Sequence, residues 1–349
     1  MKIALVTGSG GLIGSESVRR LVTEGFYVLG IDNDMRAYFF GEEASTKWNS
    51  NMLISEFPNS YLHIPIDIRD SKQIEKIFSE YEIELIIHTA AQPSHDWAAN
   101  DPKLDFEINA TGTLNLLEAF RIFRPDATFV FTSTNKVYGD TPNTLNFIEK
   151  ETRWELPEHH QFYSGIDETM SIDASTHSIF GASKLSADVL VQEYGRYFNL
   201  NTGVFRGGCL TGPMHSSAQL HGFLSYLVKS LASNKTYTIF GYKGKQVRDN
   251  IHSFDLVEMF LHFHKNPKNG AVYNVGGGRS NSISIIEAAK WLGDALSTKP
   301  LLEYQDNPRI GDHIWYISDT SKFEKDYPKW SMTYSIDKLL NEMVEAALK

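Results

Sequence analysis

Thr7-Gly8-Ser9-Gly10-Gly11-Leu12-Ile13-Gly14 follows the apolar run Ile3-Ala4-Leu5-Val6 and opens a stretch with helical periodicity. Strand, glycine turn and helix in that order decide the fold. Glycines at 8, 11 and 14 let the chain turn sharply, let its backbone approach a pyrophosphate and let the helix pack on the sheet. The phosphate charge then meets the helix N-terminus. Taken alone, such a turn is equally a plain turn, because glycine serves any positive φ. A second apolar run, Phe26 to Ile31, ends at Asp32, where a dinucleotide-binding fold places an acid on the adenosine ribose hydroxyls. A carboxylate there repels a 2′-phosphate, which predicts NAD rather than NADP, held by Gly8, Gly11, Leu12, Ile13, Asp32 and Asn33.

Outward from this start, strands and helices alternate. Residues 34–58 form a polar, aromatic insertion with no clean period, and a strand is expected over 61–66, ending at Asp67-Ile68. That pair either meets an adenine or caps the strand. A helix over 71–81 and a buried-type strand over 84–88 follow. In Thr89-Ala90-Ala91-Gln92-Pro93-Ser94 the small residues let a cofactor lie across the strand end, so Ala90, Ala91 and Gln92 join the cofactor set. A long helix over 105–120 leads to a strand over 128–134 whose end carries Thr132, Ser133 and Thr134. Ligands of open α/β sheets sit at the carboxyl ends of strands, so these hydroxyls fall where chemistry is expected.

Residues 140–176 read as a long loop of the kind that is usually functional or mobile. A strong helix pattern over 177–197 carries Lys184, and a strand over 202–205 runs into Arg206. Beyond Pro213 the alternation loosens, with helices near 223–231, 256–264, 283–296 and 336–347 and strands near 237–240, 246–252 and 272–275. The expected architecture is α/β: a Rossmann-type doubly wound parallel sheet with a smaller, interleaved C-terminal α/β substrate lobe. Residues 1–200 form the NAD-binding domain, with further strands from 201–275, and residues 206–349 form the substrate-binding lobe.

Bulk properties narrow the function. The 349 residues, 42% of them hydrophobic, suffice for two domains or for one with a large appended lobe. A net charge of -10 argues against a general nucleic-acid or membrane-surface binder, so an anionic ligand needs a few local Arg or Lys groups. Cys209 is the only cysteine, which leaves no internal disulfide and no Cys-rich metal site, and no other metal signature is present. No apolar run matches a signal peptide or a membrane span, and a cytoplasmic protein is expected.

Together these residues resemble the extended short-chain dehydrogenase/reductase superfamily, in particular its nucleotide-sugar epimerases and dehydratases, over nearly the whole chain. The likeness rests on the glycine turn, Asp32, Asp67-Ile68, the strand end from Thr132 to Gly139, Lys184 on its helix, Gln246-Val247-Arg248-Asp249 and Tyr273-Asn274-Val275-Gly276. Within the family, Ser133 to Gly139, Asp105 to Asn109 and Gly244 to Asp249 are most similar to the CDP-paratose 2-epimerase branch.

The resemblance implies a bound NAD that transiently oxidises a ring hydroxyl of a nucleotide-diphosphate sugar, after which the ketone is reduced on its other face. It makes Thr134 the hydroxyl that hydrogen-bonds the reacting oxygen. Lys184, four residues after a tyrosine, becomes the cation that lowers the phenol's pKa and holds the nicotinamide ribose. It puts Asn135 and Arg206 near the sugar and Arg248 and Arg309 on the diphosphate, and implies a homodimer or homotetramer built on the Lys184 helix. This chain departs from the pattern at the tyrosine, which is Phe180. Tyr163, His177, Lys136 and Lys184 itself stand as substitutes for the proton acceptor. The leading expectation is 2-epimerisation of a CDP-sugar. A 4-epimerase or 4,6-dehydratase is the alternative, although the dehydratases carry Asp-Glu where this chain has Asn135-Lys136. Phe180 also motivates a redox-inactive, NAD-loaded nucleotide-sugar-binding protein.

Overall fold

Seven strands form the main sheet: β1 (Lys2–Thr7), β2 (Phe26–Ile31), β3 (Tyr61–Ile64), β4 (Ile83–His88), β5 (Thr128–Thr134), β6 (Asn201–Gly207) and β7 (Ala271–Val275), in the order β7-β6-β5-β4-β1-β2-β3. The computed structural model describes residues 2–216, 222–308 and 311–348. β1 pairs in parallel with both β2 and β4, placing Leu5 opposite Leu29 on one side and Ile86 on the other. The strand order therefore reverses between β1 and β4, the switch point at which such sheets bind dinucleotides. Helices on both faces bury these strands, hence their near-continuous apolar runs: Ala4, Leu5, Val6, Leu85, Ile86 and Ile87 are all at 0% exposure.

Two compact units divide the chain. The first contains residues 1–137, 179–206 and 256–273, and the second 138–178, 207–255 and 274–349. Residues 138–178, placed by sequence within the first 200, thus group with the second unit.

In the first unit the helices are α1 (Leu12–Thr23), α2 (Met35–Phe40), α3 (Lys47–Glu56), α4 (Ser71–Glu80), α5 (His95–Asn100), α6 (Pro102–Phe106), α7 (Gly112–Phe123), α8 (Ser178–Tyr197) and most of α9 (Ser253–Lys265). The insertion read as aperiodic is in fact α2 and α3. The helix expected over 105–120 is α6 and α7 joined by a π-helical turn at Glu107–Thr111.

The second unit is built around the strand Val247–His252, which pairs in parallel with Cys209–Thr211 and Trp315–Tyr316 and antiparallel with Ser282–Ser284. A separate parallel pair joins Tyr237–Phe240 to Leu302–Gln305. Three helices, Phe223–Ala232, Ile285–Ala295 and Ile336–Leu348, share a core that includes Leu227, Leu292, Leu339 and Leu340. The long loop expected over 140–176 lies in this unit and holds a 3-10 turn at Thr141–Thr144 and the short antiparallel pair Ile148–Glu149 and Trp154–Glu155.

Candidate active site

The glycine turn is shaped by contacts that no side chain fits. Gly8 has φ +69°, and its N–H and that of Ser9 both donate to Ile31 O, at 2.7 and 3.2 Å. A Cβ on Gly14 would stand 2.0 Å from Gly8 O, so the start of α1 closes directly on the turn. Gly11 caps α1 with no side-chain hydrogen bond, and the first intrahelical bond runs from Ser15 N–H to Gly11 O. The N–H groups of Leu12, Ile13 and Gly14 precede that bond. They form the positive end of a helix, which suits a diphosphate. Ala90, at the end of β4, donates its N–H to Thr7 Oγ1 at 3.2 Å and abuts Gly8.

Asp32 ends β2. Its Oδ2 accepts Gly10 N–H at 2.8 Å and its Oδ1 accepts Asp34 N–H at 2.8 Å. Burial pushes the Asp32 carboxyl above its usual range, against these two N–H groups, which favour the anion. A cleft of about 440 Å³ opens beside it, lined by Asn33, Asp34, Met35, Tyr38, Asp67, Arg69 and Leu104. Asn33 Nδ2 donates to Asp67 Oδ2 at 3.1 Å, and Arg69 forks onto both Asp67 oxygens at 3.0 and 2.8 Å. Burial raises the Asp67 carboxyl, but the Arg69 hydrogen bonds outweigh it and hold the group below its ordinary value. Ile68 is buried against Gly112, where a Cβ would stand 2.6 Å from Ile68 Cδ1. The cleft has the size and edge chemistry for an adenine and its ribose, and the turn has the donors for a pyrophosphate. These residues fit NAD.

At the carboxyl ends of β4 and β5 the sequence candidates separate into two groups. Thr134 is half-buried; its Oγ1 accepts Lys136 N–H at 3.2 Å and donates to the buried Asn135 at 3.5 Å. Lys184 is buried on α8, its Nζ donating to Thr132 O at 2.9 Å and lying 4.2 Å from the centre of the Phe131 ring. Burial pushes this ammonium down to about 8, against the attraction of Asp188 and Asp105. Its charge also acts on His88, which burial and Lys184 together hold well below the usual imidazole range. His88 bridges Thr7 Oγ1 at 2.7 Å and Thr113 Oγ1 at 2.9 Å.

Two of the sequence candidates have partners within the protein. Arg206, expected near the sugar, is 5% exposed and its guanidinium is paired with Asp188 inside the first unit. Gln92, expected on the cofactor, is buried, and its amide is committed to Ser94 O at 2.9 Å, Asp105 Oδ1 at 2.7 Å and Ser94 N–H at 2.5 Å. It braces the loop after β4. Asn109, in the π turn, accepts Gln92 N–H at 2.9 Å and donates to Ser183 Oγ at 3.1 Å, and Ser183 Oγ in turn donates to Phe180 O at 3.1 Å. One buried chain of hydrogen bonds thus ties the loop at 92–94 to the turn of α8 that carries Phe180. Against the Phe180 ring lies His95, the first residue of α5, with ring centroids 5.0 Å apart and planes at 66°. Sequence reading passes over His95. Its signal is a histidine just after the small-residue strand end, with Ser94 capping the helix through Trp97 N–H.

In the second unit Arg248 is 8% exposed, donating to Val247 O at 2.7 Å, to His313 O at 2.5 Å and to Asp312. Arg309 lies outside the described residues. Two of the proposed proton acceptors are also in this unit. Tyr163 stacks under the Arg279 guanidinium at 3.9 Å, and His177 Nε2 lies 2.8 Å from Ile172 O.

Comparison with known proteins agrees with this geometry. The model of the NAD dependent epimerase/dehydratase family matches residues 4–276. The chain belongs to that family. Its curated relatives include CDP-paratose 2-epimerase of Salmonella typhi, 32% identical over 91% of both chains, and a putative UDP-glucose 4-epimerase of Methanocaldococcus jannaschii, 28% identical over 85% of both. A UDP-glucose 4-epimerase from Thermotoga maritima, solved with UDP-glucose, superposes with a TM-score of 0.77 at 26% identity, covering 99% of this chain and 98% of that one. Membership makes the protein an NAD-dependent epimerase-type enzyme with a Rossmann-like sheet. Among the described residues, no helix is long and apolar enough to cross a membrane.

Proposed function

We propose that this protein is an NAD-dependent epimerase that inverts C2 of a CDP-linked sugar. The observation that carries the chemistry is Lys184, a cation buried on α8 and fixed on the carbonyl at the end of β5, two residues before Thr134. The choice of nucleotide and ring carbon is supported by the relative at 32% identity, named a CDP-paratose 2-epimerase. NAD, when bound, supplies reversible hydride acceptance. Gly8, Gly11, Leu12 and Ile13 hold its pyrophosphate, Asp32 and Asn33 its adenosine ribose, and Asp67 and Ile68 flank the adenine. Ala90 and Ala91 leave room at the strand end, and Lys184 holds the nicotinamide ribose.

The nucleotide sugar uses Thr134 and Asn135 at the reacting oxygen, and Arg248, with Arg309, at the diphosphate. A planar guanidinium matches phosphate oxygens two at a time, and Arg248 is held in place by three hydrogen bonds. The first unit is the NAD-binding domain and the second the substrate-binding lobe. A second copy docks on α7 and α8, where Leu114, Ile122, Val189, Tyr197 and Phe198 are exposed and Tyr194 joins the helices through Glu118 at 2.6 Å. A single cysteine and reliance on NAD and a nucleotide sugar fit a cytoplasmic enzyme.

Purified protein mixed with CDP-, UDP-, GDP- and dTDP-sugars tests the reading. The nicotinamide absorbance band should rise transiently with a CDP-sugar, and the product should be the C2 epimer. Inversion at C4 would move the assignment to a 4-epimerase. Binding of sugars without any change in the band would make this a redox-inactive binder, the reading that Phe180 favours.

A further inference from the structure

We propose that His95 is the catalytic acid/base of this enzyme, doing the work of the tyrosine that Phe180 replaces. The inference rests on the epimerase reading and adds the proton acceptor that it lacks. Phe180 is buried, and a phenyl ring neither accepts nor donates a proton. The imidazole of His95 meets that ring edge-on at 5.0 Å, one ring contact from the side chain that fails to supply the acceptor. His95 is half-buried, so it is held by the protein while remaining accessible.

Its place in the fold suits the role. His95 opens α5 directly after the loop that leaves the carboxyl end of β4, the side of the sheet on which ligands bind. The loop is not free to drift. Gln92 and Asn109 clamp each other twice, through Gln92 N–H to Asn109 Oδ1 at 2.9 Å and Asn109 Nδ2 to Gln92 O at 3.1 Å. Asn109 also reaches Ser183 at 3.1 Å, three residues beyond Phe180 and beside Lys184. The loop that leads to His95 is therefore fixed relative to the same turn of α8 that carries the lysine. An imidazole ordinarily titrates near neutrality and both accepts and returns a proton there without the help a phenol needs. Of the four sequence candidates, Lys184 Nζ donates to Thr132 O, the Tyr163 ring lies under Arg279 and His177 Nε2 stands beside Ile172 O.

The reaction balances as a reversible oxidation. The sugar carbinol gives its O–H proton to the imidazole and its C–H electron pair as hydride to NAD, leaving a ketone. Hydride returns to the other face of the carbonyl carbon while the imidazolium gives the proton back to the oxygen.

The test uses the NAD-loaded protein, CDP-paratose and the other members of the nucleotide-sugar panel. His95→Gln should slow transient reduction of the bound NAD by roughly 10²–10⁴-fold, the usual worth of general acid/base catalysis. Its NAD content, CDP affinity by calorimetry and melting temperature should stay close to wild type. Adding Phe180→Tyr to His95→Gln should restore reduction, because the new phenol stands four residues before Lys184. Independently of turnover, diethyl pyrocarbonate should label His95, mapped by mass spectrometry, and the reactive sugar nucleotide should protect it. Reduction by His95→Gln at a rate within a few-fold of wild type would overturn the proposal and leave the epimerase reading standing. A wild type that is silent with the whole panel would overturn both.

Discussion

Arg206 and Asp188 form a two-point ion pair inside the first unit, Nη2 to Oδ1 at 2.8 Å and Nε to Oδ2 at 3.0 Å. Asp188 is at 0% exposure and also accepts Ser133 Oγ at 2.6 Å and Gln192 Nε2 at 2.6 Å. The pair links the end of β6, the middle of α8 and the end of β5, so it sets where the strand-end hydroxyls stand. Removing one partner leaves a buried, uncompensated charge, a loss of about 3–5 kcal/mol. Arg206→Met should therefore lower the denaturation midpoint strongly. CDP affinity, measured on protein that is still folded, should be unchanged. A loss of nucleotide affinity at full stability would return Arg206 to the substrate site.

Asp32 should govern the choice of cofactor. Asp34 and Asp67 stand in the neighbouring cleft, and Arg69, which also lines it, is paired with Asp67 at 2.8 Å. A 2′-phosphate there would face carboxylates and find that cation already neutralised. Nucleotide released from the denatured protein should be NAD, and added NADP should bind at least tenfold more weakly. Asp32→Ala should narrow that gap. Release of mainly NADP would refute the assignment.

Much of this site is legible in the sequence because its chemistry restricts residue type. Only glycine survives at position 14, where a Cβ would stand 2.0 Å from Gly8 O, and Asp32 follows an uninterrupted apolar strand. Helix α3 is invisible for the opposite reason. It buries Asn49 and Ser50 while exposing Trp48, Met52 and Ile54, so its apolar period is scrambled. The buried polar residues brace the glycine turn, with Asn49 Nδ2 donating to Gly10 O at 2.9 Å and Thr46 Oγ1, at the start of the helix, reaching Asp32 at 3.4 Å. The internal partners of Arg206 and Gln92 are not legible in the sequence, because residue type does not reveal whether a polar group is satisfied internally. The π turn escaped notice because its pattern differs from an α-helix by one residue in register, yet that shift is what aims Asn109 at the loop after β4.

Arg248 should report on the diphosphate. Its guanidinium is buried beside Asp312, which holds it in orientation and balances its charge until a ligand arrives. A charge-assisted contact of this kind is worth about 1.5–3 kcal/mol, so Arg248→Ala should weaken CDP binding roughly ten- to a hundred-fold. NAD content should not change. Unaltered CDP affinity in a folded variant would place the anchor elsewhere.

Lys184 makes a prediction about pH. Burial lowers its ammonium from 10.5 to about 8 in the folded protein, so between those values the unfolded chain binds the proton that the folded chain has released. Stability from this group therefore rises with pH across that window. Below about pH 8 the ammonium is charged in both states and the burial penalty is fully present. Lys184→Met removes the penalty along with the hydrogen bond to Thr132 O, which is a nearly constant offset. Relative to wild type, the Met variant should thus do best near pH 7 and lose ground as the pH climbs towards 10.5, by up to about 3 kcal/mol. Urea unfolding of both proteins across that range measures the difference directly. Curves that stay parallel from pH 7 to 10 would show that Lys184 keeps its ordinary affinity for the proton. In that case its cation, rather than a tuned amine, would be all that the site draws on.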